Sequence, residues 1–462
     1  ETDCSTQIAI IPSPGIGHLI PLIELSKRLV GSHGLQVTLI IPSSSSPSTA
    51  QQFVLSNLPS SICSVSLPLV NLDDLPPTHR NIETLISEIM ARSIPSIRET
   101  LRSIPSRITA VVLDLFGTAV IDIAREFNAS PYIFFPSSAM ALSLLHYLPE
   151  LDKMVDSEFR NLGRIEIPGC FPIHGRQLLD PLQDRTSSGY MWVLRHARAY
   201  RYADGILLNS FVELEINAVE ALGTRNPKTY PVGPLTNADE RGNEVSECLK
   251  WLNQQQKGSV LYVAFGSGGT LTYEQTCELA IGLEMSGQRF LWLVRSPCDE
   301  AKNSAYFTVK SERDPFNFLP DGFVERTKDR GMVMDSWAPQ ASILRHESTG
   351  GFLTHCGWNS ILESVVQGVP LIAWPLFAEQ KMNSVLVTED IGIGLKAEAS
   401  DSTGIIERNE IERVVRSLMD GEDGKRVRIR ASEFKNAAVE TMSDGGSSTA
   451  NLSSLVSMWK DN

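Results

Sequence analysis

His18 follows a strand-like apolar run, Gln7 to Pro12, and the turn Ser13-Pro14-Gly15-Ile16-Gly17, and it opens an amphipathic helical pattern. Imidazole is the side chain whose ordinary pKa lies nearest neutrality, and a helix N-terminus disfavours its charged form, so a histidine here is a candidate neutral base. Asp114 arrives at the carboxyl end of another apolar run, Ile108 to Leu113. There its carboxylate can accept from the imidazole N–H and fix the tautomer. On the residues alone the two also read as a helix-opening histidine and a strand-ending aspartate with no joint task. A second candidate is the polar turn His355-Cys356-Gly357-Trp358-Asn359-Ser360, between a strand pattern (Gly351 to Leu353) and a helix pattern (Trp358 to Val366). Backbone N–H groups and the dipole at such a helix start favour a phosphate, glycine allows close approach, and Asn and Ser supply donors and a cap. The loop Gly266 to Thr270 is a weaker candidate of the same kind, where Ser267 and Gly268 either touch phosphate or only make a turn.

The elements that must position these residues alternate along the chain. Strand patterns at Gln7–Pro12, Leu35–Ile41, Ile108–Leu113, Tyr132–Phe135 and Ile206–Asn209 are interleaved with helical patterning after His18, over Asn81–Leu101 and over Thr118–Phe127. Ile206–Asn209 reads as the last strand of this half, and the Pro-rich stretch Pro149–Ser187 as an irregular, site-lining insertion. A second series follows a linker near Gly233–Asn243: strands Ser259–Phe265 and Phe290–Val294, a helix Thr272–Met285, then a short helix from Pro339 and a strand Leu371–Trp374. Helices at Glu407–Met419, Gly424–Glu440 and Ser447–Trp459 end the chain. This βα alternation predicts an α/β protein of two doubly wound domains facing across a cleft, with ligands at the carboxyl ends of the strands.

Gly15-x-Gly17 after a strand invites a dinucleotide cofactor, but position 20 is Ile, and the run Leu35–Ser43 ends without an acidic residue to hold a ribose. Of 462 residues, 42% are apolar and 21% charged, and the net charge of −13 comes with no basic patch, which argues against a nucleic-acid partner. Seven scattered cysteines without metal-like spacing suit a reducing compartment, and Cys356 is expected to be structural. No basic leader precedes the first strand and no apolar run is long enough to span a bilayer, so a cytosolic location is expected. Nothing points to an obligate assembly, so a monomer is expected.

The whole stretch from Trp337 to Gln380, WAPQASILRHESTGGFLTHCGWNSILESVVQGVPLIAWPLFAEQ, resembles almost letter for letter the 44-residue signature of plant secondary-product glycosyltransferases, family 1. The resemblance extends over nearly the whole chain. It implies the fold called GT-B: an acceptor domain (1–235), a linker (236–249), a UDP-sugar domain (250–444), and a last helix (445–462) packed back on the first domain. It implies roles as well. Trp337 would stack on uracil, with Ala338 and Gln340 placing base and ribose, and Glu363 would accept from the ribose hydroxyls. His355, Asn359, Ser360 and the Trp358 amide would hold the diphosphate. Glu379 and Gln380 would bind the sugar, and Gln at the last position goes with glucose. His18 and Asp114 occupy the family's base motifs, which implies an inverting displacement of UDP by an acceptor hydroxyl.

No Asp-x-Asp pair occurs, so neither a metal nor another cofactor is expected, and UDP-glucose enters as co-substrate. Ser137 and Ser138 could reach a sugar hydroxyl. Glu83 could face the acceptor or only solvent. Phe116, Phe135, Leu145, Leu179 and Trp192 are apolar pocket candidates that read equally well as core. Several stretches, DLFGTA and AFGSGGTLT among them, are similar to the hydroquinone (arbutin-synthase-like) subgroup, which implies small phenolic or indolic acceptors. Three readings stay open beside this one: UDP-xylose or UDP-galactose as donor, a flavonoid acceptor, and a non-catalytic sugar-nucleotide-binding protein.

Overall fold

A computed structural model describes residues 6–236, 246–298, 314–335 and 338–461. The chain divides into two compact units, one formed by the residues up to Thr236 together with those from Glu440 onward, the other by the stretch between.

The first unit is a seven-stranded parallel sheet. Its strands are β1 (Gln7–Ile11), β2 (Gln36–Ile41), β3 (Ile62–Ser66), β4 (Ile108–Asp114), β5 (Ser130–Phe135), β6 (Gly205–Leu208) and β7 (Thr229–Pro231), in the order β3-β2-β1-β4-β5-β6-β7. β1 and β4 are buried along their whole length, as continuous apolar runs of a sheet covered on both faces must be. The helices that bear on the site are α1 (Ile16–His33), α2 (Ile82–Arg92), α3 (Ala139–Met154) and α4 (Ser188–Ala199). The second unit repeats the plan with six parallel strands: β8 (Val260–Ala264), β9 (Arg289–Val294), β10 (Gly331–Asp335), β11 (Thr349–Thr354), β12 (Leu371–Ala373) and β13 (Gly394–Lys396). Their order is β10-β9-β8-β11-β12-β13, and its site helices are α5 (Trp358–Gln367) and α6 (Gln380–Val385).

The last helix, α7 (Ser447–Asp461), belongs to the first unit. Leu452, Leu455, Val456 and Trp459 enter the same core cluster as Ile8, Ile10 and Leu22, and Trp459 meets Tyr132 edge-on at 5.3 Å. Asn451 donates to the Pro231 carbonyl at 2.9 Å, and Lys460 to that of His33 at 2.9 Å.

Three sequence expectations need correction, and some strands give no sequence pattern. The first sheet does not end at the strand of Ile206–Asn209, since β7 pairs with β6 beyond it; three residues are too short to show a period. The helical stretch Asn81–Leu101 is two helices, Ile82–Arg92 and Ile94–Ser103, because Pro95 stands at the start of the second and cannot continue the first. Pro149–Ser187 is not wholly irregular: α3 runs through Pro149 to Met154. Neither β3 nor β13 is visible as a pattern, β3 because it is an edge strand with only Ile62 buried.

Candidate active site

Both sheets place a topological switch between their first strand and the one that follows the third, where connections leave to opposite sides and a crevice opens at the carboxyl ends. In the first unit those strands are β1 and β4. The turn after β1 passes through Gly15, at φ 119°, a backbone conformation that a side chain would strain. α1 starts at Ile16, which makes His18 its third residue. β4 delivers Asp114 alongside, and His18 Nδ1 lies 3.1 Å from Asp114 Oδ2, with the histidine side chain 15% exposed and the aspartate 0%. A carboxylate only accepts, so Nδ1 carries the proton, and in the neutral ring Nε2 bears the lone pair. The arrangement can take a proton and stabilise the imidazolium that results.

Phe116 packs edge-on to the His18 ring at 5.9 Å and, at 5.5 Å, to His196. His196 is fully buried, its nitrogens bonded to Ser87 Oγ (2.9 Å) and Thr118 Oγ1 (2.7 Å), and Trp192 stacks on it at 5.6 Å. Burial, and secondarily the Arg195 charge, push His196 down to about 3, so it stays neutral. Glu83 is half-buried on α2, its carbonyl accepting from Ser87 at 2.6 Å. Thus Phe116 touches His18 directly, Trp192 joins it through His196 and Phe116, and Glu83 lies on α2 one turn before Ser87, the partner of His196. Leu179 is half-buried just before a short 3-10 turn at Asp180–Gln183. Phe135 and Leu145, by contrast, are 2% and 3% exposed and offer a ligand almost no surface, so core packing describes them. Ser138 is also buried: it caps α3, accepting from the Ala141 N–H at 3.1 Å, while Glu215 takes the Ala139 and Met140 N–H groups. That cap uses one lone pair of its hydroxyl.

In the second unit the switch lies between β8 and β11. Cys356 adopts φ 65°, and Asn383 of α6 holds its carbonyl at 3.0 Å. Burial pushes the Cys356 thiol up to about 12, so it packs and does not react. The His355 ring lies between Gly266 and Gly357, where an added Cβ would stand 2.5 and 2.4 Å from Nε2. Burial first, and Arg295 second, push His355 down to about 4, which keeps it a neutral imidazole at neutral pH. Its Nδ1 and the Thr270 hydroxyl are buried without hydrogen-bond partners among the described residues, an unmet demand that a ligand can answer. α5 begins after Gly357, which has no side chain to cap it, and such a helix start suits an anion.

Gln340 donates to Glu363 Oε2 at 2.7 Å and to Ser360 Oγ at 2.9 Å, which joins three of the expected nucleotide contacts in one network. Ala338 is buried beside them, and Trp337 lies outside the described residues. Gln380 is 4% exposed, and its Oε1 accepts from the Leu376 and Phe377 N–H groups, both at 2.9 Å, so what it can give a sugar is its NH2. Glu379 stands next to it, with Asn383 Nδ2 at 3.4 Å from its carboxylate. Among the described residues no group of three or more His, Cys, Asp or Glu could hold a metal ion, and no helix is long and apolar enough to cross a membrane.

Sequence reasoning missed Ser13, whose buried hydroxyl in the turn before His18 has no partner among the described residues. It also missed His196 and Arg295. Tyr190, Val193, Leu194 and Ala197, buried at helical spacing, would have marked α4 and put His196 on its inner face. Arg295 gave only a cation after an apolar strand.

The family model described as UDP-glucoronosyl and UDP-glucosyl transferase matches residues 231–434. UDP-glycosyltransferase 72B1 of Arabidopsis thaliana is 54% identical over 470 residues, covering 100% of this chain and 97% of its own. The hydroquinone glucosyltransferase of Rauvolfia serpentina is 50% identical over 461 residues, covering 98% of each. Among solved structures, a UDP-glucosyltransferase from Polygonum tinctorium capable of glucosylating indoxyl, in complex with 3,4-dichloroaniline, superimposes with a TM-score of 0.92 at 47% identity over 100% of both chains. Identity of this extent over the full length is more than a shared fold: the chain belongs to the plant family 1 UDP-glycosyltransferases and has their GT-B fold of two Rossmann-like domains.

Proposed function

We propose that this transferase moves glucose from UDP-glucose, with inversion and without a metal, to the hydroxyl of a small phenolic or indolic acceptor in the cytoplasm, yielding a β-glucoside. The observation that carries the reading is the His18–Asp114 pair, 3.1 Å apart with the carboxylate fully buried. Asp114 holds the tautomer in which Nε2 is basic. His18 takes the acceptor's proton while the acceptor oxygen attacks the anomeric carbon from the face opposite UDP. Positioned base catalysis of this kind contributes about 10²–10⁴-fold, and alignment of the two substrates much of the rest.

Charge on the departing diphosphate is offset by the uncapped start of α5, by Ser267 and by His355 acting as a neutral hydrogen-bonding group. Trp337, Ala338, Gln340, Ser360 and Glu363 hold the uridine end in this reading, and Glu379 with the Gln380 NH2 holds the glucose. The glucose and phenol assignments are supported by Gln380 at the end of the signature and by relatives named for hydroquinone and indoxyl glucosylation. Phe116 and Trp192, half-buried and both packed on the buried His196 ring, supply an apolar surface suited to such acceptors.

The test is a product assay with EDTA present. UDP-glucose, UDP-galactose and UDP-xylose are offered with hydroquinone, a chlorophenol, coniferyl alcohol, a flavonol and indoxyl, and the anomeric configuration of any product is assigned by NMR. A β-glucoside of a simple phenol or of indoxyl is expected. An α-linked product, loss of activity in EDTA, or preference for another donor overturns the corresponding part of the reading.

A further inference from the structure

Arg295 directly follows β9, and its Nη1 donates to the carbonyl oxygen of Ser267, in the Gly-rich loop that leaves β8. β8 lies between β9 and β11, so the loop is gripped on two flanks. On one side Arg295 holds Ser267 O. On the other the His355 ring fills the space beside Gly266, whose φ of 71° turns the chain. In a trans peptide the C=O and the following N–H point in opposite directions. Fixing the Ser267 carbonyl on Arg295 therefore fixes the Gly268 N–H to point away from it. A guanidinium keeps its charge at any physiological pH, so this restraint is permanent and charge-assisted.

We propose that Arg295 is a positioning residue for the diphosphate of the sugar nucleotide, holding the Ser267–Gly268 peptide so that its N–H serves as a preset phosphate donor. The inference rests on the UDP-sugar reading of the second unit. Arg295 acts through the loop, so its loss is felt by the phosphates and not by the nucleoside, which Gln340 and Glu363 serve from the short helix Gln340–Arg345 and from α5.

Affinities of the full chain for uridine, UMP and UDP are measured by calorimetry for the wild type, Arg295→Gln and Arg295→Lys. Arg295→Gln is expected to weaken UDP roughly tenfold or more while uridine changes less than about twofold, as befits one lost charge-assisted bond. The KM for UDP-glucose rises in parallel. Arg295→Lys, which keeps a cationic donor, recovers part of the UDP affinity. Affinity is read from the folded fraction, so a lower yield of either variant does not imitate the effect. An unchanged ratio of UDP to uridine affinity in both variants overturns the proposal, and so does an equal loss for both ligands, which marks a merely structural arginine. A wild type that binds neither UDP nor UMP overturns instead the sugar-nucleotide reading on which the proposal stands.

Discussion

At the scale of single residues, the base depends on one short contact. His18→Ala is expected to abolish transfer while leaving UDP affinity unchanged, because the nucleotide contacts are assigned to residues of the second unit. Asp114→Asn keeps the shape but offers an amide to Nδ1, which no longer dictates the tautomer; turnover should fall by roughly 10²–10⁴-fold. Steady-state kinetics beside UDP titration checks both, and near-normal turnover in either variant would remove the base assignment. Gln380 separates fold from function within one side chain. Its Oε1 satisfies two backbone N–H groups and its NH2 is what remains for a sugar. Gln380→Glu keeps an acceptor for the backbone but loses the donor, so KM for UDP-glucose should rise about tenfold with UDP inhibition unchanged. If inhibition by UDP weakens equally, Gln380 serves the turn and not the glucose.

Turns at strand ends, the next scale up, do the positioning, and they are where sequence and structure agree best. The turn from Thr354 to Gly357 and the start of α5 were legible because their residues are contiguous and each type has a local reason: glycine for approach, Asn and Ser for donors. Ser138 has a local reason of the same kind, since a serine before a helix is first of all a cap. His196 and Arg295 were not legible, because their meaning lies in partners about 80–110 and 28 positions away along the chain. The fit of His355 between two glycines is equally tertiary, and it makes a sharp test. Gly357→Ala has an ordinary backbone conformation, φ −64°, but its Cβ would stand 2.4 Å from His355 Nε2. The ring must move, at a cost of about 1–3 kcal/mol in stability for overpacking. UDP affinity should fall while His18, in the other unit, is untouched, so thermal melts and UDP titration of the same variant check it; unchanged UDP affinity would mean that His355 is not needed where it stands.

Across the whole molecule, the βα alternation announced two doubly wound units, but not the strand order that puts β1 beside β4 and β8 beside β11. That order is set by long-range packing, and it is what brings His18 to Asp114 and the loop after β8 to His355. The same burial leaves three histidines neutral inside: His146 at about 4, His196 at about 3 and His355 at about 4, each from an ordinary value of 6.5, desolvation being the first cause in every case. In the unfolded chain all three titrate near 6.5. As pH falls below that value the unfolded chain takes up protons that the folded chain refuses. Stability is therefore fully present above about pH 6.5 and is lost as pH falls toward 4, by up to about 1.4 kcal/mol per pH unit for each histidine. His33 and His346 are shifted the same way but are more exposed and add less. Carboxylates lowered by ion pairs, such as Glu278 and Glu284, lose their contribution only below about pH 4.5, so the window from 6.5 to 5 belongs to the histidines. His146 and His196 lie in the first unit and His355 in the second, so where the units unfold in separate transitions the first should show the steeper acid dependence. Urea unfolding midpoints at pH 7.5, 6.5 and 5.5 measure the slope. His196→Gln keeps a hydrogen-bonding group between Ser87 and Thr118 but removes the proton site, and should flatten the first unit's slope by up to about half; an unaltered slope would locate the acid sensitivity elsewhere.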